Sequence, residues 1–271
     1  MPNSFNSRMT FLMLFLCCNI IVTVTAEGMP RKAIVIENDV ICPMARLKPL
    51  LEDREFQVET IQAWKNGLSL LDSDAADLLI ILGGSQSVYE TKKHPYFYEE
   101  FSIIQRRVQQ KQATIGICLG AQMISKSLGG EVNHGSEAEV GWITLRATKS
   151  TYKSPLQNLT ANKTKVFSWH HDGFTLPENA VLMAETKLYP QAFAIENHTL
   201  ALQFHPEADL ETARGWYSLA VIDNVDTQEV DKESIVEFKR NEEEIMFFWN
   251  SCLDWLGFHD GDSILLSVAV S

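Results

Sequence analysis

The stretch ATIGICLGAQMISKSLGG, residues 113–130, decides how this chain is read. Ala113–Cys118 is short, apolar and unbroken, the composition of a strand covered on both faces. Leu119–Gly130 reads as a helix that begins with no spacer. A chain that passes from strand to helix at one residue holds that residue in a cramped bend. Gly116 and Gly120 supply the small neighbours such a bend needs around Cys118. The bend lifts the sulfur over the carboxyl ends of a parallel sheet, where open α/β sheets place their ligands. The positive end of the following helix favours an anionic sulfur there. Taken alone, Gly-x-Cys-x-Gly also suits a buried structural cysteine beside helix-packing glycines.

Working outward, KAIVIEND (32–39), FQVETI (56–61) and DLLIILGG (77–84) read as strands. A helix is expected over 44–54, and Phe97, Phe101, Ile104 and Val108 mark the face of another. Strands alternating with helices imply βαβ units and a parallel sheet. The pattern changes after Gly130. VGWITLRAT (140–148), KVFSWHH (165–171), AVLMAET (180–186) and AFAIENHTLALQFH (192–205) read as strands on short turns, the last a hairpin through Glu196–His198. The expected fold is α/β and flavodoxin-like: a mostly parallel central sheet flanked by helices, with an antiparallel extension. Ile245, Phe248, Trp249, Cys252 and Leu256 mark a closing amphipathic helix, and the acidic stretch 223–244 reads as a solvated helix or loop. One domain is expected over 29–271, with a motif-bearing core at 31–210 and a helical extension at 211–260.

A thiolate nucleophile needs a base, and the base needs a group to orient it. LALQFHPEA (200–208) offers both. His205 falls at the end of an apolar strand and Pro206 stops the ladder. Glu207, two residues on, points the same way as His205. Its carboxylate would fix the imidazole tautomer and steady the imidazolium. By itself His-Pro-Glu more often forms a surface turn. A third block, LLIILGGSQSVYE (78–90), puts two glycines directly after a buried strand. The N–H groups of Gly84 and Leu119 could together hold an oxyanion there; the plain alternative is a strand-to-loop turn.

The order Gly-Gly after a strand, GICLGAQ, then QFHPE resembles the class I, triad-type glutamine amidotransferases. The resemblance covers roughly residues 31–210. SWHHDGFTLPENAVLMAET followed by QAF is similar to the family's segment before the catalytic histidine, and GAQMISKSLGGEV with EVGWITL is most similar to stand-alone domains resembling the glutaminase part of GMP synthase. The resemblance implies Cys118 as nucleophile, His205 as general base and acid, Glu207 as its orienter, and Gly84 and Leu119 as oxyanion donors. It further implies that Gln122 and the Trp169–His170 backbone face the bound substrate, with His170 and Asp172 in the family's H-x-D positions. The substrate implied is glutamine, with no metal or organic cofactor. Two positions depart from the pattern: Ser85, where the family usually has Pro, and Trp169, where the GMP-synthase type commonly has Ser.

Composition narrows the alternatives. The 271 residues carry a formal charge of −12, which repels phosphate backbones and argues against a nucleic-acid partner. His170 and His171 are adjacent on a strand and diverge, and nothing is spaced for zinc. Cys42, Cys118 and Cys252 are too few and too scattered for a disulfide framework, although Cys42 and Cys252 could pair. Arg8, the apolar run Phe11–Val24 and Val24-Thr25-Ala26 have the order of a secretory signal, too short for a comfortable membrane span. The rival reading starts translation at Met29 and places the enzyme in the cytoplasm, without stable membrane association. Asn-x-Ser/Thr sequons at Asn158, Asn162 and Asn197 support export weakly. Three functions stay open: an ammonia-releasing glutaminase serving a separate synthase, a γ-glutamyl peptide hydrolase, and a catalytically silent binding module.

Overall fold

The computed structural model describes residues 30–65, 68, 72–219 and 226–259, together with the two-residue strands Phe11–Leu12 and Thr23–Val24. Those four residues aside, the leader reading of 1–28 lies outside the described residues. From Arg31 the chain runs β1 (Arg31–Glu37), α1 (Leu47–Asp53), β2 (Phe56–Gln62), β3 (Leu78–Ile81), α2 (Phe97–Gln109), β4 (Ala113–Ile117) and α3 (Leu119–Ser127). It continues through β5 (Val132–Thr144), β6 (Arg146–Ala147), α4 (Gln157–Ala161), β7 (Lys165–Phe174), β8 (Val181–Glu185), β9 (Pro190–Ile195) and β10 (Thr199–Leu202). Three helices follow: α5 (Leu210–Leu219), α6 (Thr227–Arg240) and α7 (Glu242–Trp255).

Eight strands form one sheet in the order β2-β1-β3-β4-β10-β9-β8-β6. The first five are mutually parallel, and β9, β8 and β6 extend the sheet antiparallel. The unbroken apolar runs have a direct cause: alternate residues of each inner strand enter different cores. Val35, Leu78, Ile80, Ile115 and Leu202 pack with α1 and α7 on one face. Ile34, Ile36, Leu79, Ile81 and Ala201 pack with α2 and α3 on the other. The hairpin β9–β10 turns at Glu196, which takes a φ of 48°.

β5 and β7 pair with each other rather than with the main sheet, in an antiparallel ribbon running from Val132↔Phe174 to Thr144↔Lys165. A third core, containing Phe167, Trp216, Tyr217 and Phe238, joins this ribbon to α5 and α6. The acidic stretch therefore differs from a wholly solvated segment. Asp226 caps α6 by accepting from the N–H groups of Gln228 and Glu229. The helix then buries Ser234, Glu237 and Phe238; residues 223–225 of that stretch lie outside the described ones. Cys42 and Cys252 are both free thiols, so the pairing open to them is not formed. Among the described residues no helix is long and apolar enough to cross a membrane.

Candidate active site

Because β3, β4 and β10 are in-register parallel neighbours, their carboxyl ends converge. That convergence brings together the Gly83-Gly84 loop, Cys118 and His205. Cys118 sits at φ 51°, ψ −107°, a backbone conformation that costs an L-residue energy and persists only where the surroundings enforce it. Its N–H donates to the Leu202 carbonyl at 2.7 Å. The two flanking glycines are required by space. A Cβ on Gly116 would stand 2.5 Å from the Gly120 carbonyl oxygen, and one on Gly120 would overlap the Ile81 carbonyl.

His205 is placed by backbone, its N–H donating to the Phe167 carbonyl at 2.8 Å. Its Nδ1 lies 2.7 Å from Glu207 Oε1, and both side chains are buried. The other end of the ring faces Cys118. A methyl group on Gly83 would lie 3.2 Å from His205 Cε1 and 3.4 Å from Cys118 Cβ. Burial opposes a charge on the imidazole, but the Glu207 carboxylate and the charge and hydrogen bond of Cys118 outweigh it and push the His205 pKa up to about 10. Two contacts fix the His-Pro-Glu turn from outside. Trp249 Nε1 donates to the Pro206 carbonyl at 3.0 Å, and Arg46 N–H to the Glu207 carbonyl at 3.2 Å.

A cavity of about 200 Å³ opens over the sulfur, lined by Gly84, Ser85, Cys118, Trp169 and His205 with Ile41, Cys42, Trp216 and Leu219. The Trp169 carbonyl lies 3.9 Å from Cys118 Sγ. Leu119 opens α3, so its N–H has no acceptor within the helix, and its side chain approaches Gly84. Gln122 and His170 are placed differently. Buried Gln122 donates to the Asp172 carbonyl and to Gln203 Oε1, each at 3.2 Å. His170 turns to Glu139 Oε2 at 3.3 Å and to the Asp172 carbonyl at 3.0 Å. Neither side chain lines the cavity; both brace the strand that carries Trp169. His171 faces away from His170 and stacks on His134 with ring centroids 3.8 Å apart.

Ile41, Cys42, Trp216 and Leu219 line the cavity without belonging to any of the three motif blocks. Trp216 belongs to α5 and lies eleven residues after His205, and its ring meets His205 edge-on at 4.6 Å between centroids. No spacing rule joins such a residue to a nucleophile on another strand. Asn38-Asp39-Val40-Ile41-Cys42 did carry a signal: these residues follow the carboxyl end of a parallel strand, where such sheets bind ligands. The Cys42 thiol is pushed far above its ordinary range, by burial first and then by the charges of Cys118, Glu207 and Asp39.

Comparison with known proteins bears on this geometry. The family model described as Glutamine amidotransferase class-I matches residues 46–218. The glutamine amidotransferase-like protein YfeJ of Salmonella typhimurium is 30% identical over 168 residues, 60% of this chain and 70% of that one. The glutamine-hydrolyzing GMP synthase of Neisseria meningitidis is 30% identical over 132 residues, 48% of this chain but only 24% of that enzyme. A glutamine amidotransferase of Thermotoga maritima superposes with a TM-score of 0.72 at 22% identity, covering 84% of this chain and 99% of that one, a likeness of fold. With the match spanning well over half its length, this chain belongs to the class I glutamine amidotransferase family.

Proposed function

We propose that this protein hydrolyses the side-chain amide of glutamine through Cys118, His205 and Glu207. The observation that carries the reading is the chain of contacts from Glu207 through His205 to a cysteine held in strained backbone at the floor of a cavity. Cys118 attacks the amide carbon as thiolate, with its proton on His205. The carbonyl oxygen gains negative charge beside the N–H groups of Gly84 and Leu119. His205 delivers its proton to the departing nitrogen, ammonia leaves, and a γ-glutamyl thioester remains. His205 then takes a proton from water, whose oxygen attacks the thioester; glutamate leaves and the thiol is restored. Glu207 holds the ring and offsets its positive charge throughout.

In this reading the ammonia serves a separate synthase inside the cell, and Met29 is the start. A second reading, cleavage of γ-glutamyl peptides by an exported form, is favoured by one observation. Trp216 covers the His205 side, where the leaving nitrogen is protonated, and Ile41, Trp169 and Leu219 complete an apolar wall with no Lys or Arg in it. Ammonia needs no such wall; a substituted amine would gain from it. Ammonia and glutamate release from glutamine, against amine release from γ-glutamyl peptides, decides between them. Cys118→Ala should lower either rate by about 10³-fold or more. Unchanged activity in that variant would remove the assignment. Glu27 as the native N-terminus means export, Met29 retention.

A further inference from the structure

We propose that Asp39 is a positioning residue that clamps the Gly83–Gln86 loop and so holds the Gly84 N–H in place, an inference that rests on the oxyanion role given to Gly84. Asp39 stands just beyond the end of β1, beside the loop that leaves β3, because Ile36 pairs with Ile81. Its Oδ2 accepts from the Ser85 N–H at 3.3 Å, from the Ser85 hydroxyl at 2.5 Å and from Gln86 Nε2 at 3.4 Å. Its Oδ1 accepts from the Ile41 N–H at 3.3 Å, which fixes the carboxylate to its own turn. Gln86 Nε2 also donates to the Asn38 carbonyl at 3.0 Å. Asn38 is anchored in turn, Nδ2 donating to the Leu82 carbonyl at 3.4 Å and to buried Glu100 at 3.3 Å. The residues after β1 thus grip the two residues that follow Gly84.

A carboxylate near an oxyanion opposes the charge that develops there. Four donors spread over this one reduce that opposition, and its position needs a compensating use. Moreover, glycines leave the loop many conformations, and serine at 85 adds little restraint. Proline at 85 would fix φ near −65° and carry no N–H. With serine, the restraint has to come from outside, and Asp39 supplies it through the N–H and hydroxyl that proline lacks.

The test pairs Asp39→Ala with Asp39→Ala/Ser85→Pro in the full chain. Asp39→Ala should lower kcat by about tenfold to a hundredfold, somewhat less than outright loss of an oxyanion donor, with KM changed by less than about twofold. Amide hydrogen exchange at residues 84–87 should quicken by about tenfold. The double variant should recover kcat to within about threefold of wild type, because a fixed φ replaces the clamp. A wild-type kcat with unchanged exchange in Asp39→Ala overturns the proposal. So does a double variant that melts with wild type yet stays as slow as the single one. Should Asp39→Ala not fold, Ser85→Ala removes one bond of the clamp, and unchanged exchange in it is equally fatal. If wild type cleaves neither glutamine nor γ-glutamyl peptides, the functional reading fails, while exchange still decides the clamp.

Discussion

At the scale of single residues, the site depends on which groups can carry charge. His205 is buried, yet Glu207 and Cys118 lift its pKa to about 10. Removing the carboxylate leaves burial as the main influence, and burial lowers the pKa of an imidazole. Glu207→Gln should therefore lower kcat/KM by about 10²-fold or more. It should also move the alkaline limb of the kcat/KM profile from near pH 10 towards neutrality; a limb that stays put would separate Glu207 from the His205 charge. Cys42 sits in the same cavity with the opposite character. Its thiol is held protonated by burial and by the neighbouring charges, and thiols react as thiolates. Brief alkylation near neutral pH should modify Cys118 and spare Cys42, as peptide mass mapping would record. Cys42→Ala should retain kcat within about threefold.

At the scale of elements, the junction of β4 and α3 sets the geometry. Gly120 passes so close to the Ile81 carbonyl that no side chain fits, and Gly116 meets the Gly120 carbonyl on the other side. These glycines join helix to strands as well as shape the bend. Gly120→Ala must push α3 away from β3, at a cost of about 2 kcal/mol or more. Urea denaturation reads that cost, and kcat should fall with it because Leu119 and Cys118 move with the helix. An alanine variant of wild-type stability would mean that the junction yields more easily than its contacts imply.

At the scale of the whole molecule, the C-terminal helices belong to the site although they carry none of its motifs. Trp249 of α7 holds the Pro206 carbonyl, and Trp216 of α5 covers His205. Under the sheet's other face, Glu100 of α2 is fully buried with one oxygen lacking a partner. Burial raises its pKa from 4.5 to about 8, against a smaller opposing effect of the Asn38 hydrogen bond. The native state thus binds this proton more tightly than the unfolded chain does. Its contribution to stability is complete below pH 4.5 and is lost as pH rises through about 8. Glu100→Gln, which cannot ionise, should exceed wild type in stability by on the order of 4 kcal/mol at pH 8.5 and by little at pH 4.5. Urea midpoints at the two values check this; equal differences at both would deny the titration.

What the sequence determined by itself was local. Apolar runs identified the inner strands because both faces of the sheet are covered. Gly116-Ile117-Cys118-Leu119-Gly120 announced the bend because a strand-to-helix junction has steric rules that short spacing obeys, and His205-Pro206-Glu207 allowed its pairing because residues two apart on an extended segment point the same way. The hairpin around Glu196 and the face of α2 were equally legible. That β5 and β7 leave the main sheet for a ribbon of their own follows from packing alone, since the side-chain pattern of a strand does not name its partner. Tertiary packing alone also turned Gln122 and His170 into braces behind Trp169, wrapped Trp216, Ile41 and Cys42 around the sulfur, and set Asp39 on the loop after β3. Those contacts join residues tens to hundreds of positions apart, and proximity of that kind arises only when helices and strands settle against one another.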